Sequence, residues 1–112
     1  MKIIDIRALK GPNYWSIRRH NLIVMRLDLE ELEEYPSNKI DGFYERLKAL
    51  IPSLHSHECS EGRPGGFFHR VERGTWMGHI IEHIALEIQT LAGSDCGFGR
   101  TRSTGQYGVY NV

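Results

Sequence analysis

Met77-Gly-His79-Ile-Ile-Glu82-His83-Ile-Ala-Leu-Glu87 is the stretch on which the fold and the chemistry of this chain turn. Its apolar residues recur at helical spacing, which predicts a helix from a cap near Thr75 to a stop at Gly93. Projected at about 100° per residue, His79, Glu82, His83 and Leu86 share one arc, whereas Met77, Ile80, Ile81, Ile84, Ala85, Ile88, Leu91 and Ala92 occupy the opposite one. The helix is expected to have a core face and a separate chemical face. His79-Ile-Ile-Glu82-His83 is also the inverted HxxEH arrangement of zinc hydrolases. Residues four apart stand one above the other, so two imidazoles can reach one tetrahedral metal, and Glu82 lies beside them to take a proton from the water such a metal activates. With this histidine and glutamate content, chance supplies only roughly 0.03 matches, so composition does not account for the motif.

Zinc needs a third protein ligand beside a position left for water. Cys59 is the best candidate, because it lies in a His-rich, glycine-flanked loop where a thiol has no evident packing role. His57 and His55 are alternates, and Glu87 lies about 80° round the helix from His79. Cys96, beyond the helix stop, reads as a small buried residue. Two imidazoles and a thiolate favour zinc over magnesium or calcium, with iron and manganese remaining open.

Outward from this helix, the first half of the chain reads as scaffold. Ile3, Ile4, Ile6 and Leu9 predict a first strand, and 22–29 a second, half-buried one, with a polar and aromatic loop over 13–20. A first helix is expected from an N-cap at Ser37, with Ile40, Phe43, Tyr44, Leu47, Leu50 and Ile51 as its apolar stripe and Pro52 as its stop. The segment 53–66 is a long loop of the kind that is usually functional or disordered. Residues 67–71 read as a short strand and 107–112 as the last one. The order predicts an α+β fold, a roughly four-stranded antiparallel or mixed sheet with two main helices packed on it, in a single domain over 1–112.

Arg100 and Arg102 flank Thr101 in a glycine-flanked loop, and their guanidinium forks suit a carboxylate substrate or a developing oxyanion, or a local partner such as Asp95. Tyr14, Trp15, Arg18 and Arg19 form a second candidate surface, although a lone Trp is more often core. The acidic run 30–34 reads as a solvated face.

Of the 112 residues, 14 are basic and 14 acidic, so the formal charge is zero and the footprint of a nucleic-acid binder is missing. No run approaches a membrane span, and Lys2, Asp5 and Arg7 interrupt the apolar start a signal peptide requires. Two cysteines are too few for a disulfide framework. A cytoplasmic protein is expected, with neither membrane nor nucleic acid as partner.

The stretches 11–20 (Gly-Pro-Asn-Tyr-Trp-Ser-Ile-Arg-Arg-His), 22–30 (Leu-Ile-Val-Met-Arg-Leu-Asp-Leu-Glu), 77–87 and 97–102 (Gly-Phe-Gly-Arg-Thr-Arg) closely resemble the N-terminal domain of the cyanophycin synthetase family. The resemblance spans nearly the whole chain. It implies a parent enzyme continuing into ATP-grasp and Mur-ligase-like modules, a homo-oligomer that builds a polymer with an aspartate backbone and arginine on each side chain. Neither module nor a Walker-type phosphate loop occurs here, so ATP is not expected to bind this domain. For the domain itself the resemblance implies polymer binding and, in some members, metal-dependent cleavage of the polymer into short primers. His79 and His83 match the metal-binding positions and Glu82 the catalytic carboxylate, with Cys59 completing the sphere.

Two functions follow as expectations: a zinc-type hydrolase acting on cyanophycin, with Arg100 and Arg102 binding substrate, or a non-catalytic tether that holds the polymer. S-ribosylhomocysteine lyase also carries an HxxEH helix with a cysteine ligand, but 11–30 and 97–102 do not resemble it.

Overall fold

Ser37, the expected helix cap, instead fastens two other helices together. In the computed structural model its hydroxyl donates to the carbonyl of Val71 (2.7 Å) and accepts from the N–H of Thr75 (2.9 Å), and its own N–H donates to the Thr75 carbonyl. Residues 1–13, 16–94, 96, 99–106 and 109–112 are described, without the side chains of 13–20. The chain divides into two compact units, Met1–Leu32 and Glu33–Val112.

The first unit is a long antiparallel hairpin of β1 (Lys2–Asn13) and β2 (Ser16–Asp28), pairing Lys2 with Asp28 at one end and Asn13 with Ser16 at the other. Register shifts fall between Ile3 and Asp5 and between Gly11 and Asn13. The second strand therefore begins well before the expected residue 22. Tyr14 and Trp15 lie outside the described residues, as do the side chains of Arg18 and Arg19, so that candidate surface has no structural description. Glu30, from the acidic run, pairs with the N-terminal amine and Lys2.

The second unit holds α1 (Phe43–Leu50) and α2 (Gly66–Arg73), linked through short 3-10 turns, then α3 (Met77–Leu91) after the short link 74–76, and a minimal sheet of β3 (Arg102–Ser103) and β4 (Tyr110–Asn111). Its core is Leu47, Leu54, Phe67, Phe68, Val71, Met77 and Ile80, all from helical segments. The four-stranded sheet is not formed: the described strands make two separate two-stranded antiparallel sheets. The main reason is 67–71, which is helical. Phe67, Phe68 and Val71 repeat at i, i+1, i+4 with charged residues between, a helix pattern that outweighs their strand propensity once Leu47 and Leu54 supply apolar cover. Tyr44 of α1 meets Phe68 edge to face at 5.9 Å, so α1 is covered by α2 and not by a sheet.

The start of α2 is fixed by the preceding loop. The carbonyls of His55 and His57 accept from the N–H groups of Gly65 (2.6 Å) and Phe67 (3.1 Å), satisfying donors that a helix start leaves open. A Cβ on Gly66 would stand 2.1 Å from the Glu58 carbonyl oxygen, so only glycine admits this approach. Segment 53–66 is thus not a free loop but two 3-10 turns, Pro52–Ser56 and Cys59–Glu61, moored to α2.

Candidate metal centre

Helix α3 begins at Met77, with Trp76 as its cap residue, which releases Thr75 for another task. The Thr75 hydroxyl shares a 2.9 Å hydrogen bond with His79 Nδ1. One turn on, His83 Nε2 stands 3.2 Å from His79 Nε2. Cys59 reaches the same point from its 3-10 turn, with Sγ 3.3 Å from His79 Nε2. Donor atoms of Cys59, His79 and His83 all lie within 4.8 Å of one another. Around a tetrahedral zinc with bonds of about 2.0–2.3 Å, neighbouring donors stand roughly 3.3–3.6 Å apart. The two separations from His79 Nε2, 3.3 Å to Cys59 Sγ and 3.2 Å to His83 Nε2, stand close to that spacing, and a thiol with two imidazoles is donor chemistry that suits a zinc-type ion.

Burial corrects one expectation about α3. Its buried arc runs through Met77, Ile80, His83 and Glu87, with His83 8% and Glu87 5% exposed, whereas Ile88 and Leu91 face outward. Core face and chemical face overlap because Phe67 packs directly on the His83 ring, centroids 4.3 Å apart. Burial lowers the His79 pKa, against an opposing pull from the Glu82 charge. It pushes His83 down to about 4, helped by repulsion from His79 and His57. Both rings are consequently neutral at neutral pH, the form that offers a lone pair to a metal.

Glu82 lies on the neighbouring arc, where its Oε2 accepts a 2.5 Å bond from the Thr101 hydroxyl. Segment 99–101 comes close enough that a Cβ on Gly99 would stand 2.9 Å from Glu82 Cγ. Arg100 and Arg102 are both exposed, flanking the threonine that holds Glu82. Asp95, their possible carboxylate partner, lies outside the described residues.

Of the alternate ligands, His55 is exposed and sits over Gly65, away from the cluster. His57 stands behind His83 instead of beside it: its Nδ1 is 2.8 Å from His83 Nδ1 and its Nε2 2.8 Å from Glu87 Oε2. Hydrogen bonds from Ser53 and His57 hold the Glu87 carboxyl below its ordinary pKa. Cys96 is half-buried, with Sγ donating to Gln89 Oε1. Sequence reasoning gave Thr75 only as a helix cap, missing its bond to His79, and passed over Arg70, whose charge His79 feels. Thr75 stands four residues before His79, a spacing that marks a helical neighbour; nothing in the sequence marks Arg70.

The model of the cyanophycin synthase-like N-terminal domain family matches residues 24–112. Over all 112 residues the chain is 63% identical to the cyanophycin synthetases of Trichormus variabilis and of a Nostoc species, and 62% identical to that of a Synechocystis species. It spans 12–13% of the length of these relatives. Among the described residues no helix is long and apolar enough to cross a membrane.

Proposed function

The chain belongs to the cyanophycin synthase-like N-terminal domain family, and on that premise we propose that it binds cyanophycin and, as a metal-dependent hydrolase, cleaves it into primers for polymerisation. The observation that carries this reading is the convergence of the Cys59, His79 and His83 donor atoms within 4.8 Å of one another, with His79 close enough to feel the Glu82 charge. Those three residues hold the ion, zinc by their donor chemistry. When bound, the ion polarises the scissile carbonyl and lowers the pKa of water.

Glu82 is the catalytic carboxylate. It takes a proton as water oxygen attacks the amide carbon, and returns it to the nitrogen as the C–N bond breaks. The Thr101 hydroxyl holds that carboxylate in place. Arg100 and Arg102, exposed beside Thr101, grip the carboxylates of the polymer as bidentate partners. ATP-dependent extension belongs to ATP-grasp and Mur-ligase-like modules of a longer, oligomeric cytoplasmic parent, and this domain binds no ATP.

The test is to incubate the chain with insoluble cyanophycin, with and without chelator and beside Glu82→Gln, and to follow new chain ends by mass spectrometry. New ends that disappear with chelator and fall about 100-fold or more in the variant are expected, since general acid–base groups supply about that much. Polymer retained in a pull-down without new ends would contradict the hydrolase and leave a tether.

A further inference from the structure

The two histidines of the cluster are held from behind by different chemistry, and the difference fixes one of them. The hydroxyl of Thr75 beside His79 Nδ1 can donate or accept, so it leaves the His79 tautomer open. Behind His83 stands a chain that ends in a carboxylate, which only accepts: Glu87 Oε2 to His57 Nε2, and across the ring His57 Nδ1 to His83 Nδ1, both contacts 2.8 Å. The chain is shielded, with the side chains of His57 and Glu87 only 16% and 6% exposed.

We propose that Glu87 and His57 form a positioning pair that sets His83 as its Nδ1–H tautomer and aims its Nε2 lone pair at Cys59 and His79. The polarity follows from the acceptor end. Glu87 accepts the Nε2–H of His57, and with the ring proton held at that end His57 Nδ1 carries a lone pair. A 2.8 Å approach of two ring nitrogens needs one proton between them, and His83 Nδ1 must supply it. His83 Nε2 is then unprotonated and faces the cluster, 3.2 Å from His79 Nε2. Such outer partners orient a ligand ring and raise its basicity. The role of the pair as support for a metal ligand rests on the metal reading above; the tautomer assignment does not.

Long-range ¹⁵N–¹H correlation spectra of the metal-free chain at neutral pH read the tautomers directly. Protonation of His83 on Nδ1 and of His57 on Nε2 is expected; a His83 protonated on Nε2, or a doubly protonated His57, overturns the proposal. Zinc affinity, measured by competition with a chromophoric chelator, gives the second arm. His57→Phe keeps the bulk and removes the relay, so affinity should fall about 10–100-fold. His57→Gln can accept from His83 and donate to Glu87, and should stay within a few-fold of the parent. Equal affinity in parent and His57→Phe overturns the positioning role. A parent chain that binds no zinc defeats the metal reading and, with it, the role as ligand support, while the tautomer spectra still decide the polarity of the chain.

Discussion

Helix α3 brings His79 and His83 together through its own period, whereas Cys59 reaches them from a segment with no period at all. The helical half of the cluster is local physics: residues i and i+4 share a face in any helix. The other half is tertiary. Cys59 sits in the left-handed region at φ 52°, a conformation that costs a non-glycine residue on the order of 1 kcal/mol and survives only where surroundings impose it. Those surroundings are the bonds from Gly65 and Phe67 to the carbonyls of His55 and His57, and the close approach of Glu58 to Gly66. A motif can thus be half visible in sequence and half dependent on how a distant turn is moored.

The contrast is most sharply tested by removing one donor from each half. Cys59→Ala and His83→Ala should each weaken zinc binding more than about 100-fold, beyond the loss typical of outer partners. Chelator competition would show whether the helix pair alone suffices, which would make Cys59 a bystander.

Mooring can be attacked without touching a donor. Gly66→Ala forces the Glu58 carbonyl aside and should cost about 2–4 kcal/mol in urea unfolding, with weakened zinc binding because the Cys59 turn must move. Gly62→Ala meets no atom within 4 Å and pays only for its φ of 64°, about 1 kcal/mol, with zinc affinity unchanged. Equal losses of affinity in the two variants would mean that the mooring does not set the cluster.

Acidification should act on the helical half first. The folded chain protonates His83 only near pH 4, whereas the unfolded chain does so near its ordinary value of 6.5. The unfolded state therefore takes up more protons between those values, and stability falls as pH drops from about 6.5 toward 4. Urea midpoints at pH 7 and 4.5 should show this decline, and His83→Leu should flatten it.

The smallest effect is expected at Thr101, whose hydroxyl aims Glu82 without touching the metal donors. Thr101→Val should reduce cleavage about 10-fold, less than loss of the general acid–base group itself, while zinc affinity holds. A loss of zinc in that variant would place Thr101 in the structural support of the cluster.

How much was legible in the sequence follows the same division. Part of each hairpin strand, α3 and the Cys59/His79/His83 grouping were readable, because each rests on spacing or on donor chemistry, whereas the loop expected over 13–20 is strand from Ser16 onward. The helix at 67–71 was not, since an aromatic and β-branched run between glycines and charges satisfies strand rules until Leu47 and Leu54 give it a helical seat. The cap role given to Ser37 failed because its hydroxyl is taken by Val71 and Thr75, more than thirty residues away. The supposed separation of core and chemical faces failed at His83, whose cover is Phe67, a residue expected in a strand. In each case a long-range partner overruled a local rule.

The most direct measurement is X-ray absorption at the zinc edge of the loaded chain. One sulfur near 2.3 Å and two imidazole nitrogens near 2.0–2.1 Å, with a light scatterer completing four-coordination, are expected. A shell of nitrogen and oxygen alone, or zinc lost on gel filtration, would contradict a centre built by Cys59, His79 and His83.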